Sequence, residues 1–181
     1  MKGFTLVELV IILVIVGILA AGALVGGSAK GPVRLEAACQ KLAADLRYMQ
    51  QMAMAEQVRF GISFDTSDES YFGYRVTTAT KATDPHTQGD LEVEFDEMRE
   101  FNEIVITSTN FGDAVEFDSI GKPYNSSGVA LSSEGIITLQ LTTSGGRLVR
   151  LQTKTVRIEP NTGKVSIQSG LLKAVPVPVK L

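Results

Sequence analysis

Residues 9–29 read LVIILVIVGILAAGALVGGSA and contain no charged side chain. A helix rises about 1.5 Å per residue, so roughly 20 apolar residues cross the hydrocarbon core of a bilayer, which is about 30 Å thick. The run starts close to the beginning of the chain and exceeds the roughly 7 to 15 apolar residues of a secretory signal peptide. The sequence therefore predicts a helix of membrane-spanning length at residues 4–29.

One carboxylate, Glu8, lies at the start of this apolar segment, directly after Phe4-Thr5-Leu6-Val7. A carboxylate deep in a bilayer costs roughly 2.5 to 3.5 kcal/mol on insertion scales, so its presence requires a partner or access to water. In the first helical turn it also complements the positive end of the helix dipole. The residues leave two interpretations: a specific ionic partner, or a side chain that extends to the lipid headgroups.

The leader Met1-Lys2-Gly3, followed by Phe4, Glu8 and the apolar run, resembles the class III signal of type IV prepilins and pseudopilins. This resemblance implies that a prepilin peptidase cleaves after Gly3 and methylates the new amine of Phe4. It also implies that Glu8 meets the N-terminal amine of a neighbouring subunit during filament assembly. A glycine before the scissile bond suits a tight cleft, because its backbone adopts extended conformations freely.

A second helical pattern begins at Pro32. Apolar residues recur at spacings of three and four, as on one face of an amphipathic helix. They are Leu35, Ala38, Cys39, Leu42, Leu46, Met49 and Ala53. The glycines at 26–27 and the pair Gly31-Pro32 are poor helix formers, and they predict an interruption between the two helical halves. This interruption is either a hinge or the point at which the helix leaves the membrane.

The rest of the chain alternates apolar and polar residues in short runs, which is typical of β-strands. The predicted strands are 59–64, 71–76, 91–95, 104–107, 115–117, 136–141, 148–151, 156–158 and 165–167. Turn residues at 144–146 and 161–163 predict hairpins. We therefore predict an α+β fold in which a long N-terminal helix packs on an antiparallel β-sheet head.

The patterns and the prepilin resemblance together divide the chain into four segments. The resemblance implies a leader at 1–3 and a filament-core role for the transmembrane helix at 4–29, and the patterns predict an amphipathic half of the helix at 30–57 and a β-rich globular head at 58–181. The first half of the long helix thus spans the membrane, and the second half packs on the head.

Within the pilin superfamily, the head resembles the GspH/FimT-like group of minor pseudopilins and minor pilins. Three stretches carry this resemblance, at residues 42–58, 115–123 and 156–165. Major type IV pilins usually close a C-terminal loop with two cysteines, whereas this head contains none, which favours a minor subunit or a pseudopilin. The loop at 77–90 and the tail at 171–181 match nothing in the group.

The residue types indicate no catalytic centre. The only histidine is His86, in a probable loop, and the only cysteine is Cys39, on the apolar helical stripe. The sequence has no nucleophile elbow, no P-loop and no Cys or His pair with zinc spacing, so we expect no enzymatic activity, no cofactor and no metal site. Asp65, Asp68 and Glu69 offer oxygen ligands to Ca²⁺, but their spacing fits no standard loop, and a solvated acidic turn is the preferred interpretation.

Charge is distributed unevenly along the chain, although the formal net charge is −3. Residues 60–118 hold fourteen Asp or Glu against three Lys or Arg, whereas residues 146–181 hold seven Lys or Arg against Glu159. A basic strip neutralises phosphates, so Arg147, Arg150, Lys154 and Arg157 are candidate DNA-binding residues. The strip lacks interleaved aromatic residues for stacking, and its cations can pair instead with the acidic part of the same head or of a neighbour.

The resemblance therefore implies a structural minor pilin or pseudopilin, processed by prepilin peptidase and assembled with other pilin or pseudopilin subunits. It implies a single span in the lipid of the bacterial inner membrane, with the head in the periplasm or otherwise outside the cytoplasm. The filament is a type II secretion pseudopilus or a type IV pilus. The alternative is a FimT-type minor pilin that acts as a DNA receptor through its basic C-terminal face. Because Glu8 is present, a position at the filament tip gains no support.

Overall fold

The structure is a computed structural model that describes residues 5–25, 30–142 and 152–169. In this part of the chain, two helices precede a series of strands. The helices are α1 (Leu6–Val25) and α2 (Lys30–Glu56). The strands are β1 (Phe60–Asp65), β2 (Ser70–Arg75), β3 (Thr80–Lys81), β4 (Glu92–Glu94), β5 (Ile104–Thr109), β6 (Ala114–Phe117), β7 (Pro123–Asn125), β8 (Gly135–Leu141), β9 (Thr153–Ile158) and β10 (Val165–Ser169).

The apolar stripe of α2 forms the centre of the hydrophobic core. Leu35, Leu42, Leu46 and Met49 are fully buried, and the helix contacts β1, β5, β6, β8, β9 and β10. Side chains three and four residues apart share one face of a helix, so the predicted stripe lies against the sheets as expected. The prediction of an amphipathic helix that packs on the head is confirmed.

The helix α2 begins earlier than its glycine and proline suggest. Gly31 and Pro32 both lie in its first turn, where proline disrupts no internal hydrogen bond. A Cβ atom on Gly31 would lie 2.6 Å from Leu141 Cδ2, so glycine allows this turn to approach β8 closely. The predicted interruption is thus wrong for Gly31 and Pro32, which belong to the helix, while residues 26–29 lie outside the described residues.

The strands form two antiparallel sheets. The first has the order β3-β2-β1-β6-β7, with β4 also paired to β2, and the second has the order β10-β9-β8-β5. In β8 the buried residues alternate with half-buried ones, which is the pattern of a strand with one face on the core. The predicted α+β fold with a helix packed on an antiparallel head is confirmed.

The hairpin predicted at 161–163 is confirmed between β9 and β10. The Glu159 N–H donates to the Lys164 carbonyl oxygen at 3.0 Å, and Gly163 adopts a φ of +66°. Alternation does not predict β3 and β7, which have two and three residues and no alternating residues beside them. It does predict β4, also of three residues, because the segment 91–95 alternates apolar and polar residues over five positions. The predicted strand at 148–151, the predicted hairpin at 144–146 and the tail at 171–181 lie outside the described residues.

The three stretches that resemble the GspH/FimT-like group meet at Gln50. Gln50 Nε2 donates to the carbonyl oxygens of Gly121 at 2.8 Å and Thr162 at 3.0 Å. One turn earlier on α2, an Arg47 guanidinium nitrogen donates to the Val165 carbonyl oxygen at 3.0 Å. One face of α2 therefore ties the turn after β6 to the β9–β10 hairpin, and with it the first sheet to the second.

A buried polar contact fixes α2 on β2. Asp45 is nearly buried, and its Oδ2 accepts a hydrogen bond of 2.7 Å from the hydroxyl of the fully buried Tyr71. Lys41 Nζ donates to the same carboxylate at 2.7 and 2.9 Å. Burial, together with the negative charge of Asp45, raises the pKa of Tyr71 well above its usual value. The hydroxyl therefore stays protonated and remains a donor.

We expect Tyr71→Phe to lower the free energy of unfolding by about 2 kcal/mol, because hydrogen bonds to charged groups contribute about 1.5 to 3 kcal/mol. Tyr48→Phe is the matched control, since the Tyr48 hydroxyl donates to the Thr83 carbonyl oxygen at an exposed position. We expect it to change stability by less than about 0.5 kcal/mol. Urea denaturation of the full chain in detergent, followed by circular dichroism, measures both. Equal losses in the two variants would contradict the role of the buried contact.

Gly163 also lies at the junction around Gln50, and a Cβ atom there would overlap the Gly121 carbonyl oxygen. We expect Gly163→Ala to destabilise the chain by about 3 kcal/mol, because overpacking adds to the strain of a positive φ. Gly128→Ala is the control: its φ is +75°, but its nearest neighbouring atom lies 3.5 Å away. We expect about 1 kcal/mol there from backbone strain alone. Equal urea midpoints for the two variants would show that the Gly163–Gly121 contact is unimportant.

Candidate assembly site

Glu8 lies in the first turn of α1, where its backbone N–H is capped by Thr5. The Glu8 N–H donates to Thr5 Oγ1 at 3.3 Å and to the Thr5 carbonyl oxygen at 3.1 Å. Thr5 is therefore the N-cap residue, and Glu8 is the third residue of the helix. The positive end of the helix dipole favours a carboxylate at this position. The helix thus begins at Leu6, three residues after Gly3.

Thr5 is not among the residues predicted for this site. Its signal is the spacing Thr5-x-x-Glu8, which is the pattern of a capping box at a helix N-terminus. The pattern gives Glu8 a local structural reason to be present, in addition to the ionic partner implied by the prepilin resemblance. Gly3 and Phe4, the residues expected at the cleavage site, lie outside the described residues.

Apart from Glu8, the described side chains of α1 are apolar on all faces, and all of them are exposed. From Thr5 to Ile18 every side chain is exposed in the single chain. A helix that is apolar all round needs an apolar environment, either lipid or other helices. Among the described residues, no helix is long and apolar enough to cross a membrane. Phe4 and residues 26–29 of the predicted transmembrane segment lie outside those residues.

The two described residues of the predicted DNA-binding strip are both engaged in ion pairs. Lys154 Nζ binds the Glu36 carboxylate of α2, and Arg157 Nη1 binds Glu134 Oε2 at 2.6 Å. The hydrogen bond from Lys154 lowers the pKa of Glu36, which keeps this carboxylate ionised. These contacts favour pairing within the head, which is the alternative to DNA binding. Arg147 and Arg150 lie outside the described residues.

The remaining candidate residues have ordinary structural surroundings. Asp65 Oδ1 accepts hydrogen bonds from the Ser67 and Asp68 N–H groups at 2.8 and 3.2 Å, which closes a turn. In the part of the chain that the structure describes, no group of three or more His, Cys, Asp or Glu is arranged to hold a metal ion. Cys39 is buried in the core, and burial raises the pKa of its thiol to about 12. A thiol of this kind is a poor nucleophile at neutral pH.

Residues 1–24 match the family model described as the prokaryotic N-terminal methylation motif. The structure of the minor pseudopilin EpsH from the type 2 secretion system of Vibrio cholerae is similar over 75% of this chain and 97% of that chain, with a TM-score of 0.53 and 8% identity. The chain has a type IV pilin-like fold. The structure of the type IV minor pilin FimU of Pseudomonas aeruginosa PAO1 aligns with 74% of this chain and 87% of its own, with a TM-score of 0.49 and 12% identity. No curated protein matches the sequence.

The ion pairs of Lys154 and Arg157 lead to a test of DNA binding. Each lost phosphate contact reduces the slope of log affinity against log salt by about 1, whereas a cation already neutralised by a carboxylate contributes little. We therefore expect the double variant Lys154→Gln, Arg157→Gln to leave this slope unchanged in gel-shift titrations of the full chain. The double variant Arg147→Gln, Arg150→Gln is the comparison. A slope reduced by about 2 in the first variant would instead support a DNA receptor.

Proposed function

We propose that this chain is a minor pilin or pseudopilin subunit whose role is structural assembly rather than catalysis. One observation carries the proposal: the methylation motif over residues 1–24 includes the capped helix α1 except for its last residue, in a chain whose head has a pilin-like fold. A motif of 24 residues alone does not define a filament subunit. The proposal rests on this motif together with a second helix that packs along two antiparallel sheets.

Processing by a prepilin peptidase is the first step that the proposal requires. Cleavage after Gly3 makes Phe4 the new N-terminal residue, and methylation then modifies its amine. Phe4 immediately precedes the N-cap Thr5, so the new amine lies within about one helical turn of Glu8 along the chain. The processed N-terminus thus combines a positive amine, the positive end of the helix dipole and one carboxylate.

The role of Glu8 is to set the position of each subunit relative to the next. Its side chain is exposed in the single chain, so the carboxylate is accessible to the N-terminal amine of a neighbouring subunit. Once both groups are removed from water, an unpaired partner costs about 3 to 5 kcal/mol, which disfavours any stagger that separates them. The ion pair therefore supplies specificity, whereas the apolar faces of α1 supply packing surface.

The proposal places the subunit in the bacterial inner membrane before assembly, anchored by the segment 4–29, with its head outside the cytoplasm. The support is the apolar, exposed surface of α1, which suits lipid first and the helices of other subunits later. In the assembled filament the same residues pack against α1 of neighbouring subunits, so a single segment serves both environments.

Within the pilin-like fold, we assign the head to the GspH/FimT-like group. The stretches 42–58, 115–123 and 156–165 support the assignment, because the structure brings all three together at Gln50. The filament is either a type II secretion pseudopilus or a type IV pilus. A FimT-type DNA receptor is the alternative function, and the ion pairs of Lys154 and Arg157 do not favour it.

We expect co-expression of the full chain with an active prepilin peptidase to remove Met1-Lys2-Gly3 and to add one methyl group to Phe4. Intact mass and N-terminal sequencing measure both changes. Gly3→Leu should block the cleavage, because a large side chain then occupies the position before the scissile bond. Gly17→Ala is the control within α1, since a Cβ atom there meets no atom within 4 Å.

Glu8→Gln separates processing from assembly. This variant should still be cleaved but should fail to enter filaments, because a neutral amide does not form an ion pair with the amine. Sheared filament fractions, probed for the subunit, measure incorporation. An unprocessed wild-type chain, beside a second substrate that the same peptidase cleaves, would refute the proposed function.

A further inference from the structure

An open groove lies beside the first two turns of α2, at the end of the head where that helix begins. It has a volume of about 380 Å³ and is formed by two segments, α2 and the turn that precedes β5. The helix contributes Val33, Arg34 and Ala37, and the turn contributes Arg99, Glu100 and Phe101. We call it the junction groove, because α2 here follows the apolar segment 4–29.

The turn that forms one wall of the junction groove is held firmly on the head. The Phe101 N–H donates to the Met98 carbonyl oxygen at 2.8 Å, and the Phe101 ring meets Phe95 edge-on at 5.9 Å between centroids. The Thr142 N–H, next to the end of β8, donates to the Glu103 carbonyl oxygen at 2.7 Å. A wall that is fixed in this way loses little conformational entropy when a ligand binds.

The groove combines two charges of opposite sign with apolar side chains. Arg99 and Glu100 are both exposed, and no ion pair among the described residues includes either of them. Arg34 Nη1 donates to Glu103 Oε2 at 3.1 Å, but a guanidinium has five N–H donors, so others remain for a ligand. Val33 is 65% exposed. The groove therefore suits a ligand that has a cationic group, an anionic group and an apolar part.

The groove lies close to the predicted membrane boundary. Lys30, the first residue of α2, directly follows the apolar run that ends at Ala29. A helix rises about 1.5 Å per residue, so Val33 and Ala37 lie about 5 and about 10 Å beyond Lys30, and any tilt of α2 brings them closer to the bilayer. Helical side chains also lean towards the N-terminus, here towards the membrane. Since each headgroup layer is roughly 5 to 8 Å thick, the groove reaches the depth of lipid headgroups.

We propose that the junction groove binds the headgroup of phosphatidylethanolamine in the leaflet from which α2 emerges. The phosphate accepts hydrogen bonds from Arg99 and from the remaining donors of Arg34, and the ammonium group donates to the Glu100 carboxylate. Val33 and Phe101 contact the apolar part of the lipid below the phosphate. This inference rests on the proposed anchoring of the segment 4–29, and it adds a specific lipid contact outside that segment.

The charges of the groove favour a primary amine over other headgroups. Because Arg34 is paired with Glu103, Arg99 and Glu100 leave the groove with no net charge. The anionic headgroup of phosphatidylglycerol has no cation for Glu100 and is repelled by this carboxylate. Phosphatidylcholine has the same charges as phosphatidylethanolamine, but its quaternary ammonium has no N–H to donate. Phosphatidylethanolamine alone of the three satisfies both Arg99 and Glu100.

Native mass spectrometry of the full chain, in detergent with equal amounts of the three lipids, measures this preference. The apolar helix α1 binds the acyl chains of all three alike, so a difference between headgroups reports the groove. We expect phosphatidylethanolamine adducts to exceed each of the others at least about threefold, the effect of one exposed ion pair.

Two variants show whether the preference depends on the groove. Glu100→Gln should lower the phosphatidylethanolamine adducts to the level of phosphatidylcholine, because the ammonium group loses its partner. Arg99→Gln should lower them by a similar factor, because the phosphate does. Lys164→Gln and Asp113→Asn are the matched controls, since both residues are exposed and lie outside the groove. Neither control should change the preference.

Fluorescence quenching in vesicles tests the depth of the groove. Ala37→Cys and Ala44→Cys place a bimane label on the same face of α2, both at exposed positions two turns apart. The native Cys39 is buried, with a thiol pKa raised to about 12, so it resists labelling. A spin label on the lipid headgroup should quench the label at position 37 at least about twofold more strongly, because Ala44 lies about 10 Å farther along the helix.

Three results would overturn the inference. They are equal retention of the three lipids, a preference that persists in both Arg99→Gln and Glu100→Gln, and equal quenching at the two labelled positions. Carbonate extraction of membranes from the same cells tests the anchor separately. A chain that stays in the membrane without a headgroup preference refutes the groove and leaves the proposed function intact. A chain that carbonate extracts, but that keeps the preference in detergent, refutes the proposed anchoring alone.

Discussion

The packing of α2 against both sheets is the constraint on which the rest of the structure depends. Apolar packing alone is not directional, so the buried stripe of Leu35, Leu42 and Leu46 keeps the helix on the head without fixing its rotation or its height. The polar contacts of the same helix supply that direction. Asp45 binds Tyr71 of the first sheet, and Gln50 binds the backbone on both sides of the seam between the sheets. The position of the head along α2 is thereby fixed at two points.

This arrangement has a consequence for a subunit that assembles through its N-terminal segment. Where the stagger of the α1 helices sets how neighbouring chains are related, any movement of the head relative to α2 would place each head at several positions in the filament. The buried hydrogen bond from Tyr71 to Asp45 limits this movement most, because breaking it leaves unsatisfied groups in the core. The bonds of Gln50 to backbone carbonyl oxygens, which are partly buried or exposed, add to it. The three stretches that resemble the GspH/FimT-like group are thus the ones that hold the helix and the two sheets together.

The sequence alone predicts the features that repeat over many residues, and it fails where the signal is short or distant. The apolar stripe of α2 extends over about five turns, and the alternation of β8 extends over seven residues, so the sequence predicts both elements. The strands β3 and β7 are missed because they are short and, unlike β4, are not flanked by alternating apolar residues. Gly31-Pro32 is misread as an interruption, because propensity describes a helix interior and not a first turn that must approach Leu141. At the candidate site, the sequence predicts Glu8. Thr5 is missed, although it lies three residues before Glu8 at the spacing of a capping box.

Ion pairs are the feature that is hardest to predict from the sequence, because their two partners are far apart in the chain. Lys154 and Glu36 are separated by 118 residues, and no local pattern joins them. The structure also shows which of the unevenly distributed charges are paired with each other. The pairs Lys154–Glu36, Arg157–Glu134 and Arg34–Glu103 take their carboxylates from outside the acidic groove beside Phe72, which is lined by Asp65, Asp68, Glu69, Glu92, Glu94 and Asp96. Lys154 and Arg157 of β9 are therefore paired within the head, whereas the groove keeps an excess of negative charge although Lys81 pairs with Glu92. An excess of one sign at one end of a subunit favours association with basic surfaces and disfavours contact between two like ends.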